Sequence, residues 1–330
     1  AYLEQADGTG WMAMYALNMM RIALELALHN KVYESMATKF FEHFLYIAHA
    51  IDNIGNAANG LWDEQDEFFY DVIKVDKKES IMLKIKSLVG LVPMFAVEVF
   101  DDEMLRKIPA FAVRMQWVLD NKPQLANLVS HWDIPGVGQK RLLSLLRGHR
   151  LKKLLTRMLD TNAFLSDYGI RSLSKEYEQN PFGFNLSGEE HTIHYVAGDS
   201  DSSMFGGNSN WRGPIWFPIN FLIIESLQRF HFYFGDDFKV PFPTSSDNWL
   251  SLDEIATELG KKLCNIFLQD GNGNRAVNGN YQKLQEDEHF KDYIQFFEFF
   301  HGDSGKGLGA SHQTGWTSLI AKILQPRFKE

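Results

Sequence analysis

The run Asn208-Ser-Asn-Trp-Arg-Gly-Pro-Ile-Trp-Phe-Pro-Ile-Asn220 sets two indoles (Trp211, Trp216), the Arg212 guanidinium and several side-chain amides close together. Indole faces stack on the apolar faces of sugar rings, and guanidinium or amide groups hold hydroxyls or carboxylates. The same composition also makes a buried Trp-Pro packing corner, and the residue types alone leave both readings open. Three other places concentrate chemistry. Gly60-Leu-Trp-Asp-Glu-Gln-Asp-Glu-Phe-Phe-Tyr-Asp71 crowds carboxylates against aromatics, as a solvated acidic turn or as part of a cleft. Glu298 stands among Phe296, Phe297, Phe299 and Phe300, where an unpaired carboxylate is expensive to bury. It therefore faces water from a loop or is held for chemistry. Asp7, in Ala6-Asp-Gly-Thr-Gly-Trp11, reads by itself as a helix cap.

These residues need elements to position them. Gly8 and Gly10 are expected to hold off helix until about Trp11, with Asp7 or Thr9 as cap. The helix predicted over residues 11–29 is apolar on nearly every face (Met12, Met14, Leu17, Met20, Leu24, Leu28), so burial all round is expected. Residues 32–51 form an amphipathic partner with a stripe of Val32, Met36, Phe40, Phe44 and Ile47. A hairpin is expected near residues 68–72. Helices follow over 88–100, 102–119 and 140–159. The last carries a basic face (Arg147, Arg150, Lys152, Lys153, Arg157) expected to be solvated. Residues 180–210 are long and irregular, the mark of a cleft wall or lid. Pro214 cannot sit inside a helix, whereas Pro218 suits a first turn, so Trp211, Arg212 and Trp216 fall on a loop feeding a helix over 219–234. Helices over 252–268 and 316–324 complete the chain.

Composition removes several classes. At 330 residues with 45 % hydrophobic content, the chain can bury a large core. Its 8 Trp, 26 Phe and 11 Tyr suit an aromatic-lined cleft and exclude disorder. The net charge of −9 argues against a nucleic-acid partner. No uncharged apolar run approaches the ~18 residues of a membrane span. The single Cys264 precludes an internal disulfide and fits a reducing, cytoplasmic compartment. Asp270-Gly-Asn-Gly-Asn274 fails as a calcium loop, because Arg275 stands where glycine belongs and Tyr281 where the bidentate glutamate belongs. Gly305-Lys-Gly-Leu-Gly309 lacks the strand and the Lys-Ser/Thr pair of a phosphate loop, and His191-Thr-Ile-His194 lacks a zinc-protease glutamate. No metal or cofactor is expected.

Trp211-Arg-Gly-Pro-Ile-Trp216 followed by Pro218-x-Asn220 resembles a motif of the α/α-toroid glycosidases, specifically glycoside hydrolase family 63. That family includes processing α-glucosidases and mannosylglycerate or glucosylglycerate hydrolases. Residues 61–71 resemble its Leu-Trp-Asp-x-x-Asp-Gly-Phe-Phe-Tyr-Asp motif, with Glu67 in place of glycine, which would reshape the turn. Residues 164–174 and the Glu298-to-Trp316 segment are also similar to family sequence. The resemblance implies an all-α, (α/α)6 toroid with long loops and short β-hairpins. It makes residues 1–330 the C-terminal portion of a single catalytic domain, truncated at the N-terminus.

It also implies an inverting hydrolase of α-linked glucosides or mannosides, with Asp7 as general acid and Glu298 as general base. The carboxyl separation expected of such an enzyme is ~6.5–9.5 Å. Trp11, Trp62, Asp63, Trp211, Arg212, Trp216 and Gln313 are the implied substrate-binding residues, for a small carbohydrate partner. The helix dipole at Asp7 works against an acid role, so a second carboxylate or desolvation by Trp11 must raise its pKa. The alternatives are a catalytically inactive carbohydrate-binding protein, or a trehalase- or glucoamylase-like enzyme of the same architecture.

Overall fold

Helix begins earlier than the glycines suggest. In the computed structural model, which describes residues 2–53, 60–74, 80–126, 134–146, 148–186, 188–201 and 214–325, α1 runs Ala6–Ala27. Gly8 and Gly10 lie inside its first turns, although each costs about 1 kcal/mol relative to alanine. Two tertiary contacts override that preference. Asp71 Oδ1 accepts the Ala6 N–H at 2.6 Å, capping the helix from outside. Gly10 is where the short 3-10 turn Val92–Phe95 closes on the helix, and a β-carbon there would sit 3.0 Å from Pro93 N. Asp7 is thus a first-turn residue rather than the cap.

The face α1 buries is built from small residues, namely Ala6, Gly10, Ala13, Ala16, Ala23 and Ala27, with Leu17, Met20 and Leu24. They let α2 (Tyr33–Asn53) approach closely. The expectation of burial all round is not met. Met12, Tyr15, Met19, Ile22 and Leu26 are exposed, Met12 and Ile22 by more than half. The stripe on α2 is rotated from the expected one. Ala37, Phe41, Phe44, Leu45, Ala48 and Ile51 are buried, while Val32 and Met36 face out. Alanines, which a search for large apolar residues passes over, set the true contact line.

Two predicted helices are partly strand. In 88–100 a pair of 3-10 turns gives way to a strand, Val97–Phe100. It pairs antiparallel with Arg141–Ser144, which belonged to the helix expected over 140–159. Val-Glu-Val-Phe alternates and is β-branched, and its ladder partner lies more than forty positions away, so local periodicity could not show it. The helix of 102–119 breaks at Pro109 into α3 (Asp102–Lys107) and α4 (Pro109–Asn121), because proline pushes Ile108 out of helical geometry (φ −127°, ψ 66°). The buried Glu34 carboxylate caps α4 from a distance, accepting the Phe111 N–H at 3.0 Å. The last turns follow as α5 (Pro123–Ala126), α6 (Gly148–Met158), α7 (Phe217–Phe234), α8 (Leu252–Cys264), α9 (Gln282–Glu286), α10 (Thr314–Thr317) and α11 (Ile320–Leu324). Ser251 and Glu254 form a reciprocal capping box on α8.

Helices therefore carry the long elements, as expected, and the sheets are small. The chain divides into two compact units, residues 1–155 with 226–240, and residues 156–225 with 241–330. In the first, the strand Tyr2–Glu4 pairs antiparallel with Asp71–Lys74, which pairs with Ser80–Leu83. The acidic hairpin forms as expected, Trp62–Asp63 against Phe68–Phe69. Glu67 keeps the left-handed backbone (φ 57°) that a glycine would favour there. The basic face of α6 is not simply solvated. Arg150 meets Asp52 at 3.2 Å and Glu64 at 3.1 Å, and Lys153 meets Glu67 at 2.9 Å. Arg147 lies outside the described residues.

In the second unit the core is aromatic. Phe217, Phe267 and Phe300 meet with centroids 5.7–6.3 Å apart. Among the described residues no helix is long and apolar enough to cross a membrane.

The Glu34 cap gives a direct test. Glu34→Ala should destabilise the protein by about 1–2 kcal/mol in urea denaturation, and Glu34→Gln, which keeps an acceptor oxygen, by less than half of that. Equal losses would show that the Phe111 hydrogen bond contributes nothing.

Candidate active site

Each unit gathers its own sequence motifs. In the first, the motif at Asp7 and the motif at 61–71 meet through the sheet. Because Glu4 pairs with Val72, Asp71 is delivered to the start of α1. Asp7 follows directly, its own Oδ1 accepting the Gly8 N–H at 2.6 Å. Burial raises the Asp7 carboxyl above its ordinary value, outweighing that backbone hydrogen bond. Burial also pushes Asp71 up, to about 6, against the Ala6 N–H and with help from the neighbouring Asp7 charge. A second carboxyl thus stands beside Asp7, and the Asp7 charge raises it. Sequence reading quoted Asp71 as the end of a motif and gave it no role. The missing signal was the pairing of Glu4 with Val72, 68 positions apart in sequence, which sets Asp71 beside the start of α1.

Trp11, one turn along α1 from Asp7, is half-buried, stacked with Tyr15 (6.2 Å) and tilted against Phe95 (5.5 Å). Trp62 is 1 % exposed, met edge-on by Phe69 at 4.8 Å and faced by the Arg150 guanidinium at 5.2 Å. Asp63 is engaged at both oxygens. Oδ1 accepts from Gln65 N–H (3.0 Å) and Asp66 N–H (2.7 Å), and Oδ2 meets Lys84 Nζ at 2.8 Å. Partial burial pushes this carboxyl up, but Lys84 and the turn N–H groups outweigh it and hold it below the usual range. Trp62 and Asp63 thus shape the hairpin.

In the second unit, three motifs converge. Ser172 donates its hydroxyl to Pro214 O at 2.7 Å. The buried Asn220 amide accepts from Ile170 N–H at 2.7 Å and donates to Ile170 O and Trp216 O, both 3.1 Å. Residues 164–174 are thereby joined to the start of α7. Ile215 and Phe300 exchange backbone hydrogen bonds (2.7 and 2.9 Å), which brings the strand of Glu298 alongside Trp216. Trp216 is 4 % exposed, near Phe299 (4.9 Å) and Trp316 (5.7 Å).

Glu298 is half-buried between the buried Phe297 and Phe299, at the bend just before the short strand Phe299–Phe300. Its Oε2 accepts the Ala310 N–H at 3.2 Å. Gly309 (φ 70°) closes the other side, and a β-carbon there would lie 2.7 Å from that same oxygen. The glycine is required twice, by its backbone conformation and by the carboxylate against it. Gln313 is half-buried at the start of α10, its N–H donating to Phe296 O at 2.8 Å. Trp211 and Arg212 lie outside the described residues.

A polar cluster that sequence reading did not assign supports the loop after Glu298. Asp303 accepts from the buried Arg171 (3.1 and 2.9 Å), Lys175 (3.0 Å) and the Tyr195 hydroxyl (3.1 Å). Burial pushes Asp303 up, and the two cations outweigh it and hold it low. A polar cavity of about 890 Å³, lined among others by Tyr168, Arg275, His301 and Lys306, lies in this unit. None of the predicted site residues lines it. Among the described residues no cluster of His, Cys, Asp and Glu is arranged to hold a metal ion.

The family model described as the glycosyl hydrolase family 63 C-terminal domain matches residues 4–326. The chain belongs to glycoside hydrolase family 63. It is 48 % identical over 334 residues to an uncharacterized protein of Saccharomyces cerevisiae, covering 97 % of this chain and 31 % of that protein. It is 23 % identical over 176 residues to the mannosyl-oligosaccharide glucosidase of the same yeast, covering 53 % of this chain and 15 % of that protein. It is 26 % identical over 179 residues to a probable mannosyl-oligosaccharide glucosidase of Schizosaccharomyces pombe, covering 54 % and 16 %. The chain thus spans less than a third of the length of each of these relatives.

The raised Asp71 carboxyl has a consequence for stability. Its folded pKa lies above the unfolded value, so its favourable contribution is complete below the unfolded pKa and is lost as pH rises through about 6. Asp71→Asn should match the wild type in stability near pH 4 and exceed it by about 1–3 kcal/mol near pH 7. Chemical denaturation at the two pH values checks this, and a variant less stable at pH 7 would contradict the buried-carboxylate account.

Proposed function

We propose that this chain carries the catalytic carboxyls of an inverting α-glycosidase acting on α-linked glucosides of an oligosaccharide. The observation that carries the reading is the contrast between the two carboxyls. Burial raises the Asp7 carboxyl, the direction an acid needs, and a second carboxyl, Asp71, stands beside it. Glu298 stands half-buried at the bend before the strand Phe299–Phe300, where the Ala310 N–H holds one carboxylate oxygen, a placement we assign to the general base. The names of the two glucosidase relatives favour glucosides over mannosides or glycosylglycerates. The close helix pair α1–α2 suits a wall of an (α/α)6 toroid. The lone, buried Cys264 fits a reducing compartment, and a cytoplasmic one is our reading.

In the proposed reaction, Asp7 protonates the leaving glycosidic oxygen as the bond to the anomeric carbon breaks. Glu298 takes a proton from the water that attacks the opposite face of the sugar. Trp11, Trp216, Gln313, Trp211 and Arg212 are proposed to contact the sugar, and Trp62 and Asp63 to hold the hairpin in shape. A dry, aromatic surround strengthens each of these polar contacts.

Hydrolysis of α-linked gluco-oligosaccharides should release a product of inverted anomeric configuration, read by proton NMR within the first minutes of reaction. Asp7→Asn and Glu298→Gln should each lower kcat by about 10²–10⁴-fold, the range general acid–base catalysis supplies, with native folding retained. Retention of configuration, or full activity in either variant, would remove the assignment. Gly309→Ala, which forces the Glu298 carboxylate to move, should lower kcat by about tenfold or more while Asp7 titrates as in the wild type.

A further inference from the structure

Asp7 and Asp71 share one backbone turn. Asp71 Oδ1 takes the Ala6 N–H and Asp7 Oδ1 takes the Gly8 N–H, so residues of one turn hold the two carboxyls. The cations carried by neighbouring elements are committed elsewhere. Lys74 on the same strand as Asp71 is held by Glu4 at 2.6 Å, and Lys84 by Asp63 and Asp66. Arg150 is held by Asp52 and Glu64, and Arg21 and Arg229 meet the buried Glu98. On α2, Glu34 is taken by Phe111 N–H and Glu42 by Arg114, while His43 lies edge-on to Phe40. The 3-10 turns Leu88–Gly90 and Val92–Phe95, which pack along α1, bring no charge. Among the described residues these cations are engaged by other carboxylates, and two neighbouring, desolvated carboxyls do not both ionise at acidic pH.

We propose that Asp7 and Asp71 hold one proton between them, and that Asp71 is the positioning residue that keeps the acid protonated. This rests on the reading of Asp7 as the acid. Asp7 gives its proton to the leaving oxygen, water supplies the new bond to the anomeric carbon and yields a proton to Glu298, and solvent returns a proton to the pair. Burial raises both groups, and the Asp7 charge raises Asp71 further.

The test is Asp71→Asn, which keeps an acceptor for Ala6 N–H and cannot ionise. In the variant, the basic limb of the kcat/KM profile should move down by about one pH unit or more. At pH 6 kcat should fall about tenfold, converging with the wild type at the acid end, with KM little changed. In ¹³C-labelled protein the Asp7 carboxyl should titrate lower than in the wild type. Asp7→Asn is the reciprocal arm: with the neighbouring charge gone, Asp71 should titrate below about 6. Loss of activity uniform across pH, or carboxyl titrations unchanged in both variants, would overturn the pair. Should the wild type hydrolyse no α-glucoside, the glycosidase reading fails while the NMR titrations still decide whether the proton is shared.

Discussion

The hydrogen bond from Ala6 N–H to Asp71 is the contact on which the first unit turns. A helix N-terminus presents unsatisfied donors, and an anionic acceptor there is favourable. Here the acceptor is not local. It arrives on a strand whose place is set by pairing with Tyr2–Glu4. One interaction thus starts α1 ahead of two glycines, joins the two motifs of the unit, and sets a second carboxyl beside Asp7. The helix end and the local dielectric pull the Asp7 pKa in opposite directions, and burial wins.

The second unit solves a different problem, that of holding a carboxylate within a phenylalanine run. The chain bends at Glu298, which leaves the carboxylate half-buried while Phe297, Phe299 and Phe300 are buried. Gly309 and Ala310 then fix the carboxylate by close approach and one N–H. Asn220 and Ser172 act as adhesive rather than as ligands. Their side chains satisfy backbone groups of Ile170, Trp216 and Pro214. The amides that make the Trp211–Asn220 run look like a sugar site include one with a structural task.

Charge patterning in this chain is local, not global. The basic face of α6 and the acidic hairpin at residues 62–67 are written as separate runs in sequence, and each alone suggests solvent or a charged partner. Folded, they meet as Arg150–Glu64 and Lys153–Glu67. Such pairs are worth little where exposed. Arg150 is mostly buried and also covers the Trp62 ring, so it packs as well as pairs.

What the sequence determined by itself was whatever depends on neighbours along the chain. The long helices α2, α7 and α8, the hairpin at Trp62, the stop at Pro109 once its effect on Ile108 is considered, and the motif residues Asp7 and Glu298 all follow from local periodicity, turn chemistry or contiguous motifs. The tertiary structure alone decided which face of α1 is buried, since alanines rather than large side chains define a close helix contact. It decided that Val97–Phe100 and Arg141–Ser144 are strands, since a ladder partner more than forty positions away leaves no local trace. It also decided the role of Asp71. A carboxyl's pKa is set by burial and by the charges beside it, and both are properties of distances through space that residue spacing along the chain does not encode.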